Sequence, residues 1–403
     1  MMRSDSRRAG LLILIFLFLF SPAGKLLAQN EDSLMTDGRK WEMKGYLKDM
    51  LSVTHIPDLD STLVDNLLHN RVNFHWFPSE KFSFNLEVRN RILKGNLVKG
   101  LYPFYSDIID AGNDYFKLSW IPVDRQEILI HTMIDRAWIT LNPGEWEIRL
   151  GRQRINWGTN LAWNPNDWFN AYNFLDFDYE ERPGSDAIRV TRYIGFASSL
   201  EFAAKMADHV DEEVAAFLYK FNRKGYDIQV LSGIVQGSVA VGTGWAGNIK
   251  NAGFKGEISW FHPYRNFADS TSSLTGAISA DYSFQNSFYL LGSYLYNSNG
   301  LNSLPANAAF LGSTQILSAK NLMPFRHSTL IMTSYTPHPL VSTGLSIMMF
   351  PGDNALFLNP TLGFSLRENL DLGLFGQFFL NESAFGKYGL RSNSGFVRIK
   401  WSF

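Results

Sequence analysis

From Trp41 to Phe403 the sequence divides into segments of about ten residues in which apolar and polar side chains alternate, with Gly, Asn, Asp and Pro clustered between them. Alternation with period two puts one kind of side chain on each face of an extended strand. In the last segment, GFVRIKWSF, Val397, Ile399, Trp401 and Phe403 share a face, and Arg398, Lys400 and Ser402 take the other. Earlier segments repeat the pattern: Val72, Phe74 and Trp76 against Arg71, Asn73 and His75, then Phe82, Phe84, Leu86 and Val88 against Ser83, Asn85, Glu87 and Arg89. No helical pattern of comparable quality interrupts the series. So many half-apolar strands must either pack sheet on sheet or turn their apolar faces to lipid.

The connections separate these two outcomes. Short turns at 78–81 (PSEK), 142–145 (NPGE), 193–196 (YIGF), 222–225 (NRKG), 284–287 (FQNS), 336–339 (TPHP) and 367–369 (REN) fall at every second position. Mostly longer links lie between them, including 94–127, 158–184 and 299–327. A soluble β-sandwich has no cause to sort its loops this way, whereas a bacterial barrel keeps its short turns on the periplasmic side. The expected fold is therefore all-β: a closed antiparallel transmembrane β-barrel over residues 41–403, with 18 strands and 16 as the nearest even alternative. Closure removes the unpaired strand edges and satisfies every backbone group in lipid. An aromatic content of 15% suits interfacial girdles.

The start of the chain fits export. MMRSDSRRAGLLILIFLFLFSPAGKLLAQ has a basic beginning, an apolar run from Leu11 to Phe20 and a cleavage position after Ala28, so residues 1–28 read as a signal peptide and 29–40 as a short periplasmic segment. The apolar run breaks at Ser21 and Pro22, short of a membrane anchor. The absence of cysteine excludes disulfides and Cys-ligated zinc. With 37 basic and 38 acidic residues the chain offers no polycation for nucleic acid.

Motifs for chemistry are few. Gly242, Gly244 and Gly247 in GTGWAG match a dinucleotide pattern, but the following NIKNAGFKGEISWF supplies no helix to hold a pyrophosphate, and small residues in a strand are the better account. His69 and His75 lie too far apart along one strand to share an ion, and the acidic loop residues read as solvated. No G-x-S-x-G elbow is present, and Ser259 near His262 or Ser328 beside His327 closes no triad. No cofactor, metal or catalytic residue is assigned, and the chain is read as a non-enzyme.

The pattern with functional content is electrostatic. Arg71, Arg89, Arg91, Arg136, Arg149 and Arg189 all take the parity opposite the apolar face, and Lys44, Lys48, Arg398 and Lys400 extend the set where the last strand closes on the first. They predict a basic wall inside the barrel. The loop 158–184, GTNLAWNPNDWFNAYNFLDFDYEERPG, brings Asp167, Asp176 and Asp178 together with Trp163 and Trp168. Folded inward, it would set a transverse field across a narrow aqueous path, and its aromatics could stack on sugars. Laid over the mouth, it would bury its rings against other loops.

One stretch resists the phase. In LGRQRINWG, Trp146, Ile148 and Leu150 share the apolar face, and strict counting puts Arg152 and Arg154 there too. An Arg on the lipid face at mid-membrane costs about 2–4 kcal/mol. A β-bulge at Gly151 is predicted to turn Arg152, Arg154 and Asn156 into the lumen, leaving Ile155 and Trp157 on the outer face.

The terminal alternating strand ending on Phe403 resembles the C-terminal signal of Gram-negative outer-membrane barrels. The runs GRQRINWG, NPNDWFN and ERPGSDAIRV, with GYLKD near the start, resemble segments of porin-like outer-membrane families, some of the Bacteroidetes type. An inward third loop opposing an arginine ladder is likewise similar to general porins. The resemblance implies an outer-membrane protein that meets lipid, engages the barrel-insertion machinery through strand 395–403, and passes small hydrophilic solutes, anions or sugars, through its lumen. Expected solute contacts are Arg71, Arg89, Arg91, Arg136, Arg149, Arg152, Arg154, Arg189, Asp167, Asp176, Asp178, Trp163 and Trp168. A plugged barrel that binds or assembles surface polysaccharide and an outer-membrane hydrolase remain the alternatives. The sequence sets no oligomeric state.

Overall fold

The computed structural model describes residues 39–110, 114–170, 184–265, 267–302, 318–382 and 388–403. The signal-peptide expectation, most of 29–40, and Asp176 and Asp178 lie outside the described residues. The strands are β1 (Trp41–Ile56), β2 (Ser61–Ser79), β3 (Phe82–Gly95), β4 (Ser119–Arg125), β5 (Ile128–Leu141), β6 (Trp146–Gln153), β7 (Ser185–Ile194), β8 (Ser198–Lys205), β9 (Val214–Arg223) and β10 (Tyr226–Val235). They continue as β11 (Ser238–Ile249), β12 (Ala252–Pro263), β13 (Ser273–Ser283), β14 (Phe288–Asn297), β15 (His327–His338), β16 (Val341–Phe350), β17 (Ala355–Arg367), β18 (Leu370–Glu382) and β19 (Tyr388–Ser402).

Each strand pairs antiparallel with its sequence neighbour, except that β3 pairs β5 directly, and β19 returns to pair β1. Leaving out β4, the ring has the expected 18 staves. The short β4 pairs only the upper part of β5, residues 128–133, while β6 pairs the lower part, residues 137–141. One position in the wall is thus shared end to end by two strands. Pro122 interrupts the alternation of SWIPVDR, which hides β4 inside the long link. Two short helices, α1 (Asn96–Leu101) and α2 (Tyr105–Ile109), precede it.

At the end of the barrel that carries Trp41 and Phe403, every connection is two to four residues long: 80–81, 142–145, 195–197, 224–225, 250–251, 284–287, 339–340 and 368–369. The opposite end carries the long links, with short exceptions at 57–60, 126–127, 236–237 and 351–354. The expected sorting of loops therefore holds. Closure uses the chain end itself: the Phe403 N–H donates to the Gly45 carbonyl and the Phe403 carbonyl accepts the Gly45 N–H in return, both at 2.9 Å.

The molecule is inside out relative to a water-soluble domain. Phe217, Tyr219, Val230, Val241, Ile258, Ile278, Ile331 and Ile399 point outward and are exposed, while the residues between them, such as Ala216, Leu218, Gln229 and Glu257, are buried. A contiguous apolar belt of this extent is stable only against lipid.

Candidate functional site

After Gln153 the chain leaves the wall and crosses the lumen. Ile155, Trp157, Trp168 and Phe169 pack against the inward side chains of β7 to β12, among them Ala203, Ala216, Leu218, Leu231 and Phe261. Trp157 meets Phe169 edge to face at 4.8 Å, and Trp168 meets Phe261 at 6.0 Å. The expectation that Ile155 and Trp157 face lipid is therefore corrected: both are buried inside the barrel. Their apolar surface is hidden by the opposite wall, so the parity of β6 no longer governs them.

Polar contacts fix the crossing. Glu257 on β12 accepts the backbone N–H groups of Thr159, Asn160 (2.7 Å) and Asn166 (2.9 Å), and the Thr159 hydroxyl at 3.2 Å. Trp168 Nε1 donates to Ser259 Oγ at 2.9 Å, and that hydroxyl donates to Asn166 Oδ1 at 2.7 Å. Asn166 Nδ2 reaches the Thr243 carbonyl at 3.0 Å. Gly242 of GTGWAG makes room for this, because a Cβ there would stand 2.8 Å from Asn166 Oδ1 and 3.0 Å from the Trp168 ring. The segment 318–326 also folds inward: Leu322, Met323 and Phe325 pack with Ala162 and Trp163, and Lys320 Nζ donates to the Gln236 carbonyl at 2.6 Å and Ser238 Oγ at 2.9 Å. Burial pushes the Lys320 ammonium down to about 8.

Arginines line the inner wall as the parity requires, but most are matched by carboxylates on the same wall. Arg71, almost wholly buried, ion-pairs Glu87 on β3 and Asp135 on β5. Arg89 Nη2 lies 2.9 Å from Asp135, and Arg136 Nη1 3.4 Å from Glu87. Arg149 grips Glu147 at 3.0 and 3.1 Å, and Arg189 holds Glu201 through two bonds of 2.7 Å. Arg91 Nη2 is 3.1 Å from His131 Nδ1, whose Nε2 lies 2.9 Å from Asp110. A bulge that sequence counting missed builds the centre of this network. The β3 to β5 register steps from Glu87↔Arg136 to Val88↔Ile134, so Asp135 is the extra residue and joins Arg136 in the network.

At Gly151 the register runs unbroken, Trp138↔Gly151↔Ala187 and Ala137↔Arg152↔Asp186. The predicted bulge is absent, and the change in backbone course is made instead by a φ of +116° that suits glycine. Arg152 does not line open lumen. Its guanidinium holds Asp186 through two bonds of 2.8 Å and also donates to the Phe116 carbonyl, while Asp186 accepts the Phe116 N–H at 2.8 Å. Residues 114–118 run where β6 would have continued, with Asp114 bridging Ala207 of the next strand's extension. The ion pair thus replaces ladder bonds at the seam where β6 leaves the wall and β4 takes its place. Asp114, 3.4 Å from Arg152, has its carboxyl raised by burial against the pull of Arg152 and Lys205.

The expected contact residues therefore sort into three groups. Arg136, Arg149 and Arg189 keep part of their guanidinium exposed, with side chains 13%, 30% and 21% accessible; Arg91 and Arg154 are also partly exposed. Arg71, Arg89 and Arg152 are buried in ion pairs. Asp167, Trp163 and Trp168 are buried in the infolded loop, which removes the two tryptophans as open platforms for a sugar. Glu87, Asp135, Asp186, Glu201 and Glu257 were not identified as partners from the sequence, although each sits on an inward parity or at a break in it.

One Ser–His pair lies at the outer rim. His262 Nδ1 is 2.8 Å from Ser272 Oγ, and its Nε2 is 2.7 Å from the Phe267 carbonyl. A backbone carbonyl, not a carboxylate, orients this imidazole, and the Trp260 and Phe267 rings pack on it at 5.6 and 4.1 Å. The geometry is that of a strut holding Phe267 and Ser272 to β12.

Fold and site together define a transmembrane β-barrel with a charged inner wall and an infolded loop. No family model matches the sequence, and no curated protein matches it. Solved structures do share the fold. Acinetobacter baumannii OccAB4 superposes with a TM-score of 0.57 at 9% identity, covering 91% of this chain and 98% of that one. Pseudomonas aeruginosa OprD gives 0.57 at 8% identity over 90% and 95%, and P. aeruginosa OccK9 (OpdG) gives 0.56 at 9% over 90% and 98%.

Proposed function

We propose that this chain is a porin-like channel of the bacterial outer membrane that lets small hydrophilic solutes diffuse through its lumen, with anions favoured. The observation that carries this reading is the asymmetry of the interior. The infolded loop is packed onto β7 to β12, while arginines of β5, β6 and β7 present partly exposed guanidinium groups on the inner wall. A fixed fork of donors that cannot deprotonate suits passing carboxylates, phosphates and hydroxyls. The solute contacts are Arg91, Arg136, Arg149, Arg154 and Arg189; Arg71, Arg89 and Arg152 hold the wall that presents them. Kinship with Bacteroidetes-type porin-like families rests on the GRQRINWG, NPNDWFN and ERPGSDAIRV runs, and insertion through strand 395–403 on its terminal alternation.

Planar-bilayer recording across a salt gradient tests the proposal. Stepwise conductance with a reversal potential on the anion side is expected, moving toward zero in Arg149→Gln and Arg189→Gln. A clear cation preference sinks the selectivity. Absence of conductance steps would favour the plugged barrel that binds or assembles surface polysaccharide.

A further inference from the structure

Glu257 has no accessible surface, and the donors around it all belong to the infolded loop. Its two oxygens divide the work. Oε1 takes the N–H groups of Thr159 and Asn160 and the Thr159 hydroxyl, while Oε2 takes the N–H of Asn166. Those residues lie at both ends of the run 159–166, so one carboxylate ties the entry and exit of the loop's tip to β12. Neighbouring contacts depend on the same placement, since Asn166 then reaches Ser259 and Thr243, and Ser279 donates to Asn160 Oδ1.

We infer that Glu257 is the positioning residue of the channel: the two accepting oxygens of its carboxyl group hold the infolded loop against β12 and thereby set the free cross-section beside the arginine wall. The inference rests on the channel reading for its consequence, but not for its geometry. A glutamine of the same shape cannot substitute. Whichever way its amide is turned, an NH₂ group faces either the Thr159 and Asn160 donors or the Asn166 donor, and donor meets donor. Backbone N–H groups that lose a buried acceptor release the segment that carries them.

The sequence lacks cysteine, so one introduced thiol reports one position. Ala162→Cys places it on the loop, where the residue is 2% exposed. In the full-length chain folded in lipid, Glu257→Gln is expected to raise maleimide labelling of that thiol by about tenfold or more, as local opening dictates. Single-channel conductance should change by about twofold or more as the constriction moves, while the heat-modifiable folded band persists. An Asn160→Cys/Ser279→Cys crosslink in the Glu257→Gln background should restore the original conductance when oxidised and lose it on reduction. Labelling and conductance equal to the parent's in a folded Glu257→Gln protein overturn the inference. If that variant does not fold, the crosslinked one decides: opening on reduction supports the clamp, and failure to fold even when crosslinked overturns it in favour of a wall-assembly role. A parent without conductance steps defeats the channel reading, and the labelling still judges the clamp.

Discussion

Replacing Arg152 by methionine isolates the seam between β6 and β4. The change removes both bonds to Asp186, the bond to the Phe116 carbonyl and the 3.4 Å ion pair with Asp114, and it leaves the Asp186 carboxylate, 2% exposed, with the Phe116 N–H as its hydrogen-bond donor from the inserted segment. Breaking one side of a buried ion pair costs about 3–5 kcal/mol. Removing both partners, as Arg152→Met with Asp186→Leu, abolishes the charge stranded at Asp186; it leaves the Phe116 N–H and carbonyl without these partners, at about 1–3 kcal/mol each, and the carbonyl has already lost its donor in Arg152→Met. The double variant is therefore expected to be more stable than Arg152→Met, and far more stable than the sum of the single losses. Urea unfolding in lipid vesicles, followed by tryptophan emission and by the folded band on unheated gels, measures all four corners of the cycle. A loss below about 1 kcal/mol for Arg152→Met, or strict additivity in the double variant, would show that the pair does not close the seam.

Three further outcomes follow from other parts of the structure. Gly242→Val should displace Asn166 and Trp168 and destabilise the docked loop by about 1–3 kcal/mol, read as faster labelling of Ala162→Cys; Gly292→Val, where a Cβ meets nothing within 4 Å, is the control and should leave labelling unchanged. Lys320 is a base whose docked pKa, about 8, lies below its free value of 10.5, so the released segment binds a proton that the docked one does not. Docking of 318–326 should hence strengthen as pH rises through about 8 to 10.5 and be weakest and flat below that window. Protection of an Ala319→Cys thiol reads this, and Lys320→Met should remove the slope. At the rim, Ser272 is expected to ignore a fluorophosphonate probe; stoichiometric labelling lost in His262→Ala would instead establish a serine hydrolase.

Strand number, loop sorting and the inward parity of Arg71, Arg89, Arg136, Arg149 and Arg189 were legible because each follows from period two and from the length of the turns. That information is local, and it fails wherever the chain leaves its strand. The carboxylates show the limit: Glu87 and Glu201 lie in strands whose phase is readable, yet their pairing with Arg71 and Arg189 depends on cross-strand register, which a single sequence does not state. Asp135 needed a bulge that no glycine marks, while the glycine that invited one, Gly151, changes the chain's course without shifting register.

The phase conflict in LGRQRINWG has its explanation in the same distinction. Arg152 and Asp186 are opposed in register at the last rungs of β6 and β7, just where a ladder in lipid would be left with unpaired backbone groups. A strand that dives inward opens such a gap, and β4 refills the stave by pairing with β5, but it makes no ladder with β7. Charged side chains long enough to reach Phe116 then serve as the missing rung. The arginine that seemed misplaced for a wall is thus what permits the wall to be interrupted. The interruption in turn frees residues 154–170 to cross the lumen and dock on Glu257, so the seam at Arg152 and the clamp at Glu257 are the two fixed ends of one functional element.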